Sequence, residues 1–130
     1  MKTNKEDMKN LGRLKGRSDF LRIQNSGRKW IARHFVLQLD QGTTDHNRFG
    51  VTVTKRLDKS AVGRNRMKRR LRAVAYDVLA TDKKYGAILG DKHDFVLIAR
   101  LGLAEAGYDD LKKDLRWCLK KLSMQNNTAS

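Results

Sequence analysis

Residues 61–80, AVGRNRMKRRLRAVAYDVLA, constrain this chain more than any other stretch. At ~100° per residue a helix here gathers Met67, Leu71, Val74 and Val78 within a ~60° arc. With that arc at 0°, Arg64 lies near about 60°, Lys68 near about 100° and Arg72 near about 140°. Asn65 falls near about 160°, Arg69 near about 200°, Arg66 near about 260° and Arg70 near about 300°. Positive charge therefore covers all of the helix that is not core. Arg64, Lys68 and Arg72 also stack at i, i+4 and i+8, where like charges oppose one another by about 0.2–0.5 kcal/mol per pair. A solvated helix face ordinarily mixes signs, yet no acid stands between Lys59 and Tyr76. Such a helix can lay one narrow stripe on a core and must offer the rest to an anion.

The imbalance extends beyond this segment. The 130 residues carry 29 Lys and Arg against 14 Asp and Glu, a net charge of +15. That excess points to a polyanionic partner and steered association, with nucleic acid ahead of an anionic membrane surface. No apolar run approaches the ~20 residues of a membrane span, and MKTNKEDMKN lacks the apolar stretch of a secretory signal. A cytoplasmic location is expected, with the free protein a monomer. With 39% hydrophobic and 33% charged residues the chain reads as globular, and its length predicts one domain. The single cysteine, Cys118, excludes an intramolecular disulfide and a multi-cysteine zinc site, and it reads as a small core residue.

Along the chain, residues 1–17 read as a flexible basic arm with Leu11 and Leu14 touching the domain. Ser18 can cap a short helix, SDFLRIQNSG, with Asp19 in its first turn and Gly27 just past its end. WIARHFVLQLD reads as extended, with Phe35, Leu37 and Leu39 alternating with Val36 and Gln38. RFGVTVTK sets Phe49, Val51 and Val53 against Gly50, Thr52 and Thr54, and these two strands can pair antiparallel across QGTTDHN. The basic helix starts near Lys59 or Ser60. KKYGAILGDKH reads as a loop, and DFVLIAR as a strand buried on both faces. Tyr108, Leu111, Leu115, Cys118, Leu119 and Leu122 form the stripe of a closing helix, and residues 123–130 read as a disordered tail. The strand after the basic helix is expected parallel to the one before it, in a split βαβ unit. The expected fold is α+β, an α-β-β-β-α-β-α sandwich with one small sheet and helices packed against it, over residues 18–122.

Lys55, Arg56 and Lys59 extend the basic patch onto the loop that leads into the helix. Arginine suits an RNA or DNA backbone because its planar fork matches phosphate oxygens two at a time. Asn65 can donate to and accept from a ribose or base edge. A protein nuclease is a rival reading, with His34, His46, His93, Asp45 and Asp94 as material. Neighbours on a strand point to opposite faces, so Asp94 cannot simply orient His93, and no spacing gives a metal cluster or a paired acid and base. A non-catalytic ribosomal or RNA-chaperone-like protein is a second rival. A helix-turn-helix DNA binder is a third, although a strand rather than a helix precedes the basic helix.

FGVTVTKRLDKSAVGRNRMKRRLR closely resembles the signature segment of the bacterial ribonuclease P protein component. In that family a strand ends in basic residues, here Lys55–Arg56, and a helix opens with Arg-Asn-Arg and then Lys-Arg. Those residues are Arg64–Asn65–Arg66 and Lys68–Arg69. GRLKGRSDFLRI is similar to the family's first helix, ARHFVLQL to its following strand and DFVLIAR to its later strand, so the resemblance covers roughly residues 11 to 122.

The resemblance implies a partner and a division of labour. Family members join a catalytic RNA subunit, which with magnesium ions removes the 5′ leader of precursor tRNA. The RNA performs the chemistry and binds most of the Mg2+. Lys55, Arg56, Arg64, Asn65, Arg66, Lys68, Arg69 and Arg72 are expected to contact RNA, and no residue is expected to be catalytic or to bind metal. The resemblance also implies a left-handed crossover, against the general rule, and a leader-binding cleft between the first helix and the sheet. Phe20 matches a family aromatic that lines this cleft, where stacking on an unpaired base is the available chemistry. Val36 and Gln38 face the same side of the sheet, opposite Phe35, Leu37 and Leu39. Gln24 and Gln38 stand where relatives often carry aromatics, which shifts the expected binding from stacking toward hydrogen bonds.

Overall fold

DFVLIAR is apolar on both faces, and the sheet gives it the one kind of position that covers both. The computed structural model describes residues 11–90 and 92–129. Its strands are β1 (Leu11–Arg13), β2 (Arg28–Ile31), β3 (Phe35–Gln41), β4 (Asn47–Thr52) and β5 (His93–Ala99). Its helices are α1 (Arg17–Ser26), α2 (Ala61–Ala75), α3 (Lys83–Leu89) and α4 (Tyr108–Ala129). A π-helical turn, Tyr76–Ala80, prolongs α2, and a 3-10 turn, Leu103–Glu105, precedes α4. The strands form one sheet in the order β1-β4-β5-β3-β2. β5 lies at its centre, parallel to β4 and antiparallel to β3.

That placement corrects two expectations. β3 and β4 do not pair with each other, because β5 is inserted between them. A doubly apolar strand needs cover on both faces, so it displaces the local hairpin. β4 and β5 are immediate neighbours, so the βαβ unit is closed rather than split. The edges go to short strands, β1 and the polar β2, whose Arg28, Lys29 and Ile31 are exposed.

The sheet divides two layers. Phe35, Leu37, Leu39, Phe49, Phe95 and Leu97 face α2, α3 and α4 in the main core. Phe49 stacks on Phe95 with ring centroids 5.6 Å apart and meets Tyr76 edge-on at 5.4 Å. The expected stripe of α2 is buried at Met67, Leu71 and Val74, and Val78 continues it in the π turn. On the other face Val96 packs with Ile23 and Leu14 beneath α1.

Other boundaries shift. Leu11–Arg13 is a strand paired in parallel with β4 rather than part of a loose arm, and Leu11 and Leu14 are buried as expected. Residues 1–10 of that arm lie outside the described residues. α1 begins at Arg17 with Gly16 at its N-cap, so Ser18 does not cap it. The extended run from Trp30 to Asp40 breaks into β2 and β3, which pair antiparallel. The loop expected after the basic helix contains α3, capped by the Asp82 carboxylate, which accepts from the Lys84 N–H at 3.2 Å. Tyr85 and Leu89, four residues apart, bury its inner side, a pattern that the two glycines obscure in the sequence. α4 runs on to Ala129 instead of ending in a tail at residue 123; Ser130 lies outside the described residues.

Cys118 is fully buried on the inner face of α4. Burial, and secondarily the Asp114 charge, push its thiol up to about 12. Native protein held near about pH 8 should resist a thiol-disulfide reagent while urea-unfolded chain reacts fully. Fast stoichiometric labelling of native protein would contradict this packing.

Candidate nucleic-acid interface

The basic face begins at a carefully closed helix end. Ser60 is the N-cap of α2, its hydroxyl accepting from the Gly63 N–H at 3.2 Å. Asp58 accepts from the Ser60 N–H at 2.8 Å. Its carboxylate also lies so close over the first turn that a Cβ at Gly63 would sit 2.0 Å from Oδ2. A side chain at position 63 would push that acid aside; in place, it offsets the positive end of the helix. Arg64 donates to the carbonyls of Asp58 at 3.0 Å and Lys59 at 2.9 Å. It therefore ties the loop to the helix as well as adding charge.

Beyond this clamp the predicted residues separate into two groups. Lys55, Arg56, Asn65, Arg66 and Arg69 are exposed; Arg64, Lys68 and Arg72 are half-buried. Burial, and then the neighbouring charge of Arg13 on β1, lower the Arg72 pKa. An anion between Arg13 and Arg72 would relieve that repulsion. Arg70, on the charged arc but outside the predicted contacts, is turned to the backbone. It donates to the carbonyls of Leu103 at 2.8 Å, Ala104 at 3.3 Å and Ala106, anchoring the segment that leads into α4.

A cleft of about 450 Å³ opens on the other face of the sheet. Arg17, Phe20, Leu21 and Gln24 of α1, at helical spacing, make one wall; Gln38, Thr52, Val96 and Ile98 supply the floor, with Thr54 beyond β4. Phe20 lies against Gly50, where a Cβ would come within 2.4 Å of its Cζ. The glycine thus seats the ring on the sheet while the ring stays half-exposed to the cleft. Gln38 is 9% exposed on the floor. Val36 does not line the cleft; it lies two residues from Gln38 along β3, paired with Ile98.

Sequence reasoning missed the group that holds α1 over this floor. Asp94, fully buried on β5, accepts from Arg48 of β4 at 3.1 and 2.7 Å and from Arg22 of α1. Arg22 also donates to Asp40 at 2.9 Å and Asp19 at 3.3 Å. Burial works to lower the Arg22 pKa, but its bonds to Asp94 and Asp19 outweigh it and raise the net value. The bond to Asp94 likewise raises Arg48. An acid at the head of an apolar strand was the available signal.

The histidines do not converge. The Asp114 carboxylate accepts from the His34 backbone N–H at 2.9 Å and meets its Nδ1 at 2.8 Å. His46 Nδ1 lies 3.0 Å from Asp45, while His93 Nδ1 is buried without a hydrogen-bond partner. Among the described residues no group of three or more His, Cys, Asp or Glu could hold a metal ion.

Gly50→Ala should overpack the site and cost about 1–3 kcal/mol in urea unfolding. In a Phe20→Ala background that penalty should shrink to about 0.5 kcal/mol or less, because the obstructing ring is gone. An undiminished penalty would mean that Phe20 does not rest on Gly50.

The ribonuclease P family model matches residues 8–123. The ribonuclease P protein component of Streptococcus mutans is 40% identical over 113 residues, covering 87% of this chain and 87% of that one. That of Bacillus pumilus is 34% identical over 115 residues, covering 88% and 90%. Among solved structures, the Staphylococcus aureus RNase P protein is 29% identical with a TM-score of 0.65, covering 83% of this chain and 92% of that one. The Thermotoga maritima RNase P protein is 26% identical with a TM-score of 0.66, covering 84% and 96%. With a family match spanning residues 8–123 and relatives aligned over most of both chains, this chain belongs to the ribonuclease P family.

Proposed function

We propose that this chain is the protein subunit of ribonuclease P, binding an RNA subunit and the 5′ leader of precursor tRNA so that the leader is removed. The observation that carries this reading is the two-sided layout around β4. Lys55, Arg56, Asn65, Arg66 and Arg69 stand exposed on the β4–α2 connection and α2, while Phe20, Gln24 and Gln38 line a cleft on the opposite face of the sheet. The basic side suits a folded RNA, whose phosphates the guanidinium forks of Arg66 and Arg69 can engage two oxygens at a time. Lys68 and the Arg13–Arg72 pair border that surface.

The cleft suits an unpaired strand. Phe20 offers a stacking face, Thr52 and Thr54 offer hydroxyls, and Arg17 places a cation at the wall. Gln24 and Gln38 add amide contacts where an aromatic would only stack. Asp94, through Arg22, positions α1 and so the wall that carries Phe20.

The chemistry is assigned to the RNA with magnesium, and this chain supplies no catalytic residue. In this reading the protein assembles the enzyme and selects precursor over product. No described helix is long and apolar enough to cross a membrane; the proposed setting is the cytoplasm, and the +15 charge favours a monomer before RNA binds.

Cleavage of precursor tRNA at low magnesium should require both the RNA and this chain, and the chain alone should cut nothing. Cleavage by the chain alone would favour the protein-nuclease reading. The association constant with the RNA should fall steeply with salt, and Arg66→Ala should reduce the log–log slope by about one if it meets one phosphate.

Phe20→Ala should weaken precursor tRNA binding by about 1–3 kcal/mol and leave mature tRNA unaffected. Equal effects on both ligands would reduce Phe20 to a core residue.

A further inference from the structure

The strand register carries the cleft floor beyond the cover of α1. Thr52, Ile98, Val36 and Ile31 are successive neighbours across β4, β5, β3 and β2. At ~4.8 Å per strand this row spans about 14 Å. Its first two members line the cleft; its last, Ile31, is 54% exposed on the edge strand. Ile31 is also one wall of a second cavity, of about 360 Å³, completed by Ala32, Arg33, Lys113, Asp114 and Trp117.

Trp117 leaves 43% of its surface exposed there, whereas Trp30 is 5% exposed in the core. Lys113, Trp117 and Lys121 follow at i, i+4 and i+8 on α4, so the indole has an ammonium one turn away on either side. Lys121 Nζ lies 5.8 Å from the ring centroid. The Asp114 carboxylate, engaged with His34, is the one acid in the cavity lining against Arg33 and Lys113, so the lining remains net positive. An open indole with a cationic rim, on a chain of net charge +15, disfavours a second copy. It fits a partner with a flat apolar face and a phosphate on each side. That description is an unpaired nucleotide.

We propose that Trp117 is a stacking platform for an unpaired base of the leader, reached where the strand leaves the α1 cleft and crosses the Thr52–Ile98–Val36–Ile31 row. The proposal rests on the leader reading above and extends it to nucleotides farther from the cleavage site.

The test uses holoenzyme reconstituted from the full chain and ribonuclease P RNA, with precursor tRNAs whose leaders are lengthened one nucleotide at a time. Trp117→Ala should lower affinity about 5- to 150-fold for long leaders and leave short-leader and mature tRNA binding unchanged. Trp117→Phe should restore most of the affinity, since a phenyl ring still stacks. In Trp30→Phe protein, where Trp117 is the remaining indole, long leaders should quench the emission and short ones should not.

No loss with Trp117→Ala at any leader length overturns the proposal, as does an equal loss for precursor and mature tRNA. Self-association that Trp117→Ala abolishes would give the indole to a second copy and overturn it as well. Wild-type holoenzyme that binds precursor and mature tRNA alike would remove the leader reading and this proposal together. That result is distinct from wild-type discrimination that survives Trp117→Ala.

Discussion

The carboxylate of Asp94 joins three elements that nothing local in the chain would bring together. It has no exposure to water, and guanidiniums from α1 and β4 converge on it. A buried carboxylate without such partners costs several kcal/mol, so the arrangement stands or falls as a unit. Through Arg22 it sets how α1 sits over the sheet, with Asp40 of β3 and Asp19 of α1 holding the same guanidinium. The width of the cleft and the seat of Phe20 on Gly50 follow from that contact. The proposed leader site would need a rigid wall, and an ion-pair network anchored in the central strand supplies one.

The basic helix shows how a chain tolerates charge that it keeps for a partner. Asp58 over the first turn and the Ser60 cap offset the positive end of α2. Arg64 and Arg70 are turned to backbone carbonyls, so two of the cations hold the structure together. Among the described residues nothing comparable offsets the exposed Arg66 and Arg69. Their repulsion is a cost in the free protein that a bound polyanion would remove, and in the proposed reading this couples stability to RNA binding.

Much of the candidate interface was legible because it depends on helical periodicity and charge. The stripe Met67, Leu71, Val74 and Val78, the outward Arg66 and Arg69, and the alternation of Phe35, Leu37 and Leu39 against Val36 and Gln38 are local patterns, and local patterns survive into the fold. The start of α2 at Ser60 was readable for the same reason. α3 was not, because Gly86 and Gly90 interrupt a short pattern in which only Tyr85 and Leu89 are buried.

The sequence by itself determined an α+β chain with one charge-covered helix, a doubly buried strand and a polyanionic partner, since each follows from residue type and spacing. The tertiary structure alone decided that β5 would separate β3 from β4 and that Leu11–Arg13 would become an edge strand. It also decided that Asp94 would meet Arg22 and Arg48, which lie 72 and 46 residues away in the chain. Strand order is settled by competition for cover on both sheet faces, and a buried carboxylate is settled by which cations that order brings within reach. Neither competition is visible in a window of neighbouring residues.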